Sequence, residues 1–147
     1  MKGKYIIVGL LLLYPCLSLA ASYEFKDYPV KSSTAPSEVF IKPSVIQKLK
    51  KIELTNGLTA FDYVKKKANF AGHYEVVEWS CGLPCRQAVI INLISGDIVG
   101  SIDSCFGLEF RIDSYLLIDK ADEREPLEYC TKEHYHLLKN ETIIKLE

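Results

Sequence analysis

The chain has 147 residues, enough for one domain with one substantial core. Hydrophobic residues make up 48% and charged residues 25%, a globular composition that excludes a disordered chain. The formal charge of −1 leaves no excess of cations to neutralise phosphates, which argues against nucleic acid as the main ligand.

The opening Met1-Lys2-Gly3-Lys4 is basic, and Tyr5 to Tyr14 is apolar apart from one glycine. Pro15 breaks that run, and Ser18-Leu19-Ala20 places small residues at the −3 and −1 positions of a cleavage site. This is the layout of a secretory signal peptide over residues 1–20. The apolar run is shorter than the roughly twenty residues that a membrane span needs. Cys16 raises an acylated start as an alternative, but Pro15 stands where a small residue is expected. Loss of Lys2 and Lys4 takes the charge from −1 to −3. The expectation is an exported protein, periplasmic or secreted, with no membrane span in the mature chain.

Residues 21–45 read as an irregular lead-in, punctuated by Pro29, Pro36 and Pro43. Val45 to Leu54 is ambiguous between helix and strand. Asn56-Gly57 signals a turn. Thr59 is placed to cap a short helix over Ala60–Ala68, with Phe61 and Val64 on its buried face and Lys65-Lys66-Lys67 toward solvent. From His73 the period becomes two. Tyr74–Trp79 reads as a strand. Ala88–Ile94, apolar on both faces except at Asn92, reads as a central strand. Ser95-Gly96-Asp97 turns the chain into Ile98–Ile102, and Leu108, Phe110 and Ile112 alternate in a further strand. Tyr115–Asp119 either continues that strand or forms the next. Asp119 to Glu128 reads as a solvated, charged loop. Tyr135–Leu138 and Thr142–Leu146 make a final hairpin. About six strands with short links predict a mainly β fold bordering on α+β. The architecture is an antiparallel β-meander sheet or partial barrel with one short helix, in a single β-rich domain over residues 46–147.

Without Cys16, four of the five cysteines remain, an even number suited to an oxidising space. Spacing favours Cys81–Cys85 with Cys105–Cys130, which close 5 and 26 residues and contribute about 2 and about 3.5 kcal/mol in the chain-entropy picture. A crossed pairing, such as Cys81–Cys105 with Cys85–Cys130, stays open.

The most distinctive stretch is Asn69-Phe70-Ala71-Gly72-His73-Tyr74, followed by Trp79-Ser80-Cys81-Gly82-Leu83-Pro84-Cys85. With Cys105 and Cys130 after it, this pattern resembles a family of small exported bacterial proteins, over about residues 50–147. Two departures are Ser80, where such sequences often carry glycine, and a less aromatic last hairpin. The resemblance implies an exported β-rich domain with paired cysteines and implies no reaction.

Several side chains invite chemistry. His73 is a candidate general base with Glu75 as orienter, two apart on one strand face, and Arg111 is a candidate third member. Against this, His73 also suits a backbone hydrogen bond that locks the junction. Tyr74 and Trp79 are candidates for ligand contact, with core packing the competing role for Trp79. Cys81 and Cys85 have three residues between them, and a strand rather than a helix follows, so a structural staple is favoured over a reactive dithiol. His134 and His136 share a strand face and, with Glu128 or Glu133, would suit zinc or copper, although solvated histidines are the commoner outcome. No cofactor is implied, and no phosphate loop, serine elbow or dinucleotide fingerprint occurs. The expected function is a non-enzymatic binding module for an envelope protein or a cell-wall component. A small hydrolase or metal-dependent enzyme using His73 and Glu75, or a thiol oxidoreductase using Cys81 and Cys85, is the alternative.

Overall fold

The computed structural model describes residues 22–31, 36 and 38–147. The signal peptide read over residues 1–20, with Cys16, lies outside the described residues, as do positions 32–35 and 37 of the linker-like run. Among the described residues, one α-helix, α1 (Pro43–Lys50), precedes seven strands. These are β1 (Tyr74–Gly82), β2 (Cys85–Asn92), β3 (Ile98–Ser104), β4 (Leu108–Phe110), β5 (Leu116–Asp119), β6 (His134–Lys139) and β7 (Thr142–Leu146). They form two antiparallel meanders, β1-β2-β3 and β4-β5-β6-β7. The mainly β reading with one short helix holds. Its single meander divides into two sheets between β3 and β4, because β4 pairs with β5 and not with β3.

The alternation of side chains decides how the layers stack. Tyr74, Val76, Ala88, Ile90 and Ile102 leave one face of the first sheet and meet Leu108, Leu117 and Leu138 of the second. Val77, Trp79, Val89 and Ile91 leave the opposite face and are covered by Val45 and Leu49 of α1 and by Ala60. The three-stranded sheet is thus the middle of three layers. This is why Ala88–Ile94 lacks a polar face.

The helix stands where the sequence suggested an irregular lead-in and an ambiguous stretch. Ile41, Val45 and Leu49 are four apart and form one buried stripe. Pro43 occupies the first turn, where its missing N–H costs no hydrogen bond, so it starts the helix rather than marking a loop. The helix expected over Ala60–Ala68 is instead a single 3-10 turn, Ala60–Tyr63. Thr59 does cap it, its amide and hydroxyl both donating to the Asp62 carboxylate. The turn ends because the Lys65 and Lys66 amides donate to the buried Glu75 carboxylate rather than to helical carbonyls.

Two close approaches complete the frame. The Asn69 side chain accepts from the Val76 amide at 2.8 Å and donates to the Val76 carbonyl at 3.0 Å, acting as a substitute strand on the edge of β1. Between the sheets, a Cβ on Gly100 of β3 would run into the Ile143 side chain of β7. Gly100→Ala should cost about 1–3 kcal/mol, the usual penalty for overpacking. Denaturant unfolding measures it, and the penalty should shrink in an Ile143→Ala background, because the two positions are coupled by contact.

Candidate functional site

Two disulfides join Cys81 to Cys85 and Cys105 to Cys130, and the crossed pairing does not occur. The first closes the β1–β2 hairpin at its tip. The second ties the connection after β3 to a 3-10 turn, Glu128–Thr131. At the tip, Gly82 adopts φ +129°, a backbone that L side chains rarely take. Leu83 then projects fully into solvent, 101% exposed. Beside it lies a notch of about 160 Å³ lined by Ser80, Arg86, Cys105 and Phe106. Arg86 is exposed, and no acid lies within ion-pair distance of it among the described residues. Behind the tip, Glu78 accepts the Leu108 amide at 2.8 Å and so braces the first sheet against the second.

The proposed His73, Glu75 and Arg111 group does not assemble. Glu75 is 1% exposed and points into the layer beneath the Lys65–Lys66 turn, where the two amides take its carboxylate. Burial raises its pKa, and those backbone hydrogen bonds oppose the rise. His73 precedes β1, so strand alternation does not align it with Glu75. Its ring lies 4.3 Å from that of Tyr74, and burial lowers its pKa against the pull of Glu141. Arg111 turns outward to Asp113 in a two-pronged pair at 2.9 Å and lies over the Phe25 ring.

The two aromatic candidates are core residues. Trp79 is 3% exposed and donates its indole N–H to Gln87 at 3.2 Å, which leaves no open face for a ligand. Tyr74 is buried between the sheets, and that burial, aided by Glu141, pushes its hydroxyl up to about 12.

His134 and His136 do share a face of β6, opposite Asp119 and Leu117. They do not converge on a metal position, and no group of three or more His, Cys, Asp or Glu side chains is arranged for one among the described residues. His134 stacks on Tyr129 with centroids 4.1 Å apart, and its Nε2 lies 2.9 Å from the Tyr129 carbonyl. His136 is buried, and burial lowers its pKa to about 4.

Between these histidines and β4 sits a group that the sequence reading placed in a solvated loop. Asp119 is 1% exposed. Its Oδ2 accepts from the Tyr129 hydroxyl at 3.3 Å, while its Oδ1 has no hydrogen-bond partner among the described residues. Burial pushes its pKa up to about 6 against the opposing pull of His134, Tyr129, Lys145 and the Cys105 amide. The missed signal was the alternation in Leu116-Leu117-Ile118-Asp119, which puts Asp119 on the inward face of Leu117. A carboxyl titrating near 6 beside Tyr, His and Lys has the makings of an acid–base group. Its oxygens are closed off, however, so in this arrangement it shapes stability rather than meeting a substrate. No family model, curated protein or solved structure matches the chain.

The two buried groups act on stability with opposite signs. Folded Asp119 holds its proton to about pH 6, whereas its ordinary value is 3.8. The folded state binds more protons in that window, so this contribution is lost as pH rises through it, by about 3 kcal/mol at most. His136 does the reverse: stability is lost as pH falls from its ordinary 6.5 toward about 4. Asp119→Asn should raise the unfolding midpoint at pH 7.5 and leave it unchanged at pH 3.5. Thermal unfolding at both pH values checks this, and an equal effect at both would mean that the carboxyl's charge is not the burden.

Proposed function

We propose that this protein is an exported, non-enzymatic binding module that meets a protein partner through the tip of the β1–β2 hairpin. The observation that carries the reading is Leu83, fully exposed between Gly82 and Pro84 on a loop closed by Cys81–Cys85. A lone exposed leucine is ordinary on a protein surface. One held rigid at the apex of a projecting hairpin differs, because its ordering cost is met before binding. An aliphatic knob fits an apolar pocket on another protein. Sugar polymers, by contrast, favour flat aromatic faces, and Trp79 and Tyr74 are turned inward here. That favours a protein over a cell-wall component. The hydrolase alternative lacks its assembled residues, since His73, Glu75 and Arg111 face three different surroundings.

The notch beside the tip adds chemistry. Arg86 offers a planar fork of donors, with no acid within ion-pair distance among the described residues. A partner with an acidic side chain next to its apolar pocket would satisfy both features.

Leu83→Asp should leave the fold intact, with stability within about 0.5 kcal/mol of the parent, because the side chain touches solvent alone. It should abolish cross-linking to the partner when the oxidised domain is incubated with its own envelope fraction. Cys81→Ser/Cys85→Ser should weaken the same cross-link while the chain stays folded. Identical cross-linked species from Leu83→Asp and the parent would refute the assignment.

A further inference from the structure

The end of β1 opposite Leu83 carries a second surface that the hairpin-tip reading does not use. Lys65, Lys66 and Lys67 are all exposed and follow one another on a single turn. None has an acid within ion-pair distance among the described residues. Lys66 adopts φ +56°, a left-handed backbone that glycine or asparagine takes at lower cost. The turn is held in that shape from below, where the Lys65 and Lys66 amides close on the Glu75 carboxylate. Glu75 is 1% exposed and gives up its hydration to do so. A buried acid and a strained lysine thus combine to fix the backbone from which three exposed lysines project.

The same turn borders a groove of about 300 Å³. Its lining includes Val39, Ala68 and Ile112 together with Lys66 and Lys67, and no acid among the described residues. Val39 and Ile112 remain 39% and 42% exposed. Cations rimming an exposed apolar floor match the boundary of a lipid bilayer, where phosphates lie above acyl chains. A small hydrophilic anion would use the lysines and leave the apolar floor bare.

We infer that this end of the domain docks on the surface of an anionic phospholipid bilayer, with Lys65, Lys66 and Lys67 against the phosphates and Val39 and Ile112 at the acyl boundary. The charge complementarity commits the site to anionic lipid rather than to a neutral one. The inference is independent of the Leu83 assignment. Eight residues of extended chain separate Glu75 from Leu83, roughly 26 Å at strand rise, so a docked domain would hold its hairpin tip away from the membrane.

The test is co-sedimentation of the oxidised, mature protein with vesicles. The probes are vesicles of equimolar phosphatidylglycerol and phosphatidylcholine, and vesicles of phosphatidylcholine alone. Binding is expected to the first and not the second, and should fall as salt rises. Lys66→Gln/Lys67→Gln should lower the partition coefficient by roughly tenfold or more. Val39→Ser/Ile112→Ser should lower it as well, while Leu83→Asp should not. Lys48→Gln/Lys51→Gln, which removes the same charge from the α1 region, serves as the control for net charge. The inference is overturned by no binding to the anionic vesicles, or by equal binding to the neutral ones. It is likewise overturned by a Lys66→Gln/Lys67→Gln protein that binds like the parent, or by an equal loss in the control. Complete competition by millimolar inorganic phosphate would also overturn it, since the site would then read a small anion rather than a surface.

Discussion

The β1–β2 ladder is buried on both faces over Tyr74–Val77 and Ala88–Asn92, so the side chains there must match one of two cores. That constraint hides a difficulty. In most sheets a one-residue slip moves apolar groups into water and is rejected on that ground. Here a slip would exchange Val76 and Ile90 for Val77 and Val89, and both sets are apolar. Hydrophobicity alone therefore leaves the register open, and polar pins close it. Glu75 must reach the Lys65–Lys66 amides, Trp79 must reach Gln87, and Glu78 must reach the Leu108 amide. Cys81–Cys85 clamps the same ladder at its turn.

These pins show two ways of burying an acid. Glu75 receives two backbone amides and orders the chain in return, so charge-assisted hydrogen bonds offset part of its desolvation. Asp119 receives one hydroxyl at 3.3 Å and keeps one oxygen bare. The first is a structural fastener. The second is a liability at neutral pH that the packing of β5 against β6 tolerates. His136, buried nearby on the same face with Nε2 unpartnered, is the cationic counterpart of that cost.

Much of the strand layout was legible in the sequence, because period-two alternation is imposed by geometry that each residue feels alone. The β2–β3 turn at Ser95-Gly96-Asp97 and the last hairpin could be placed for that reason. The favoured cysteine pairs also followed from spacing. The helix was misplaced because Pro43 is ambiguous by itself, a breaker in a loop and a starter at a first turn. The segment after Thr59 looked helical by local propensity, yet Glu75, ten residues beyond Lys65, draws its amides away. The candidate pairing of His73 with Glu75 is absent for a similar reason, since the Glu75 carboxylate is taken by the Lys65 and Lys66 amides. Leu83 could not be singled out from composition, because exposure at an apex emerges only once the hairpin is closed.

Asn69 shows how a side chain can stand in for a missing strand. By taking both polar groups of Val76, it leaves that rung of β1 with nothing to offer an incoming peptide. Open sheet margins are where extended chains add on and polymers begin. One carboxamide plugs this margin without the length of another strand, and so guards the molecule's most apolar sheet against its own copies and against unfolded neighbours.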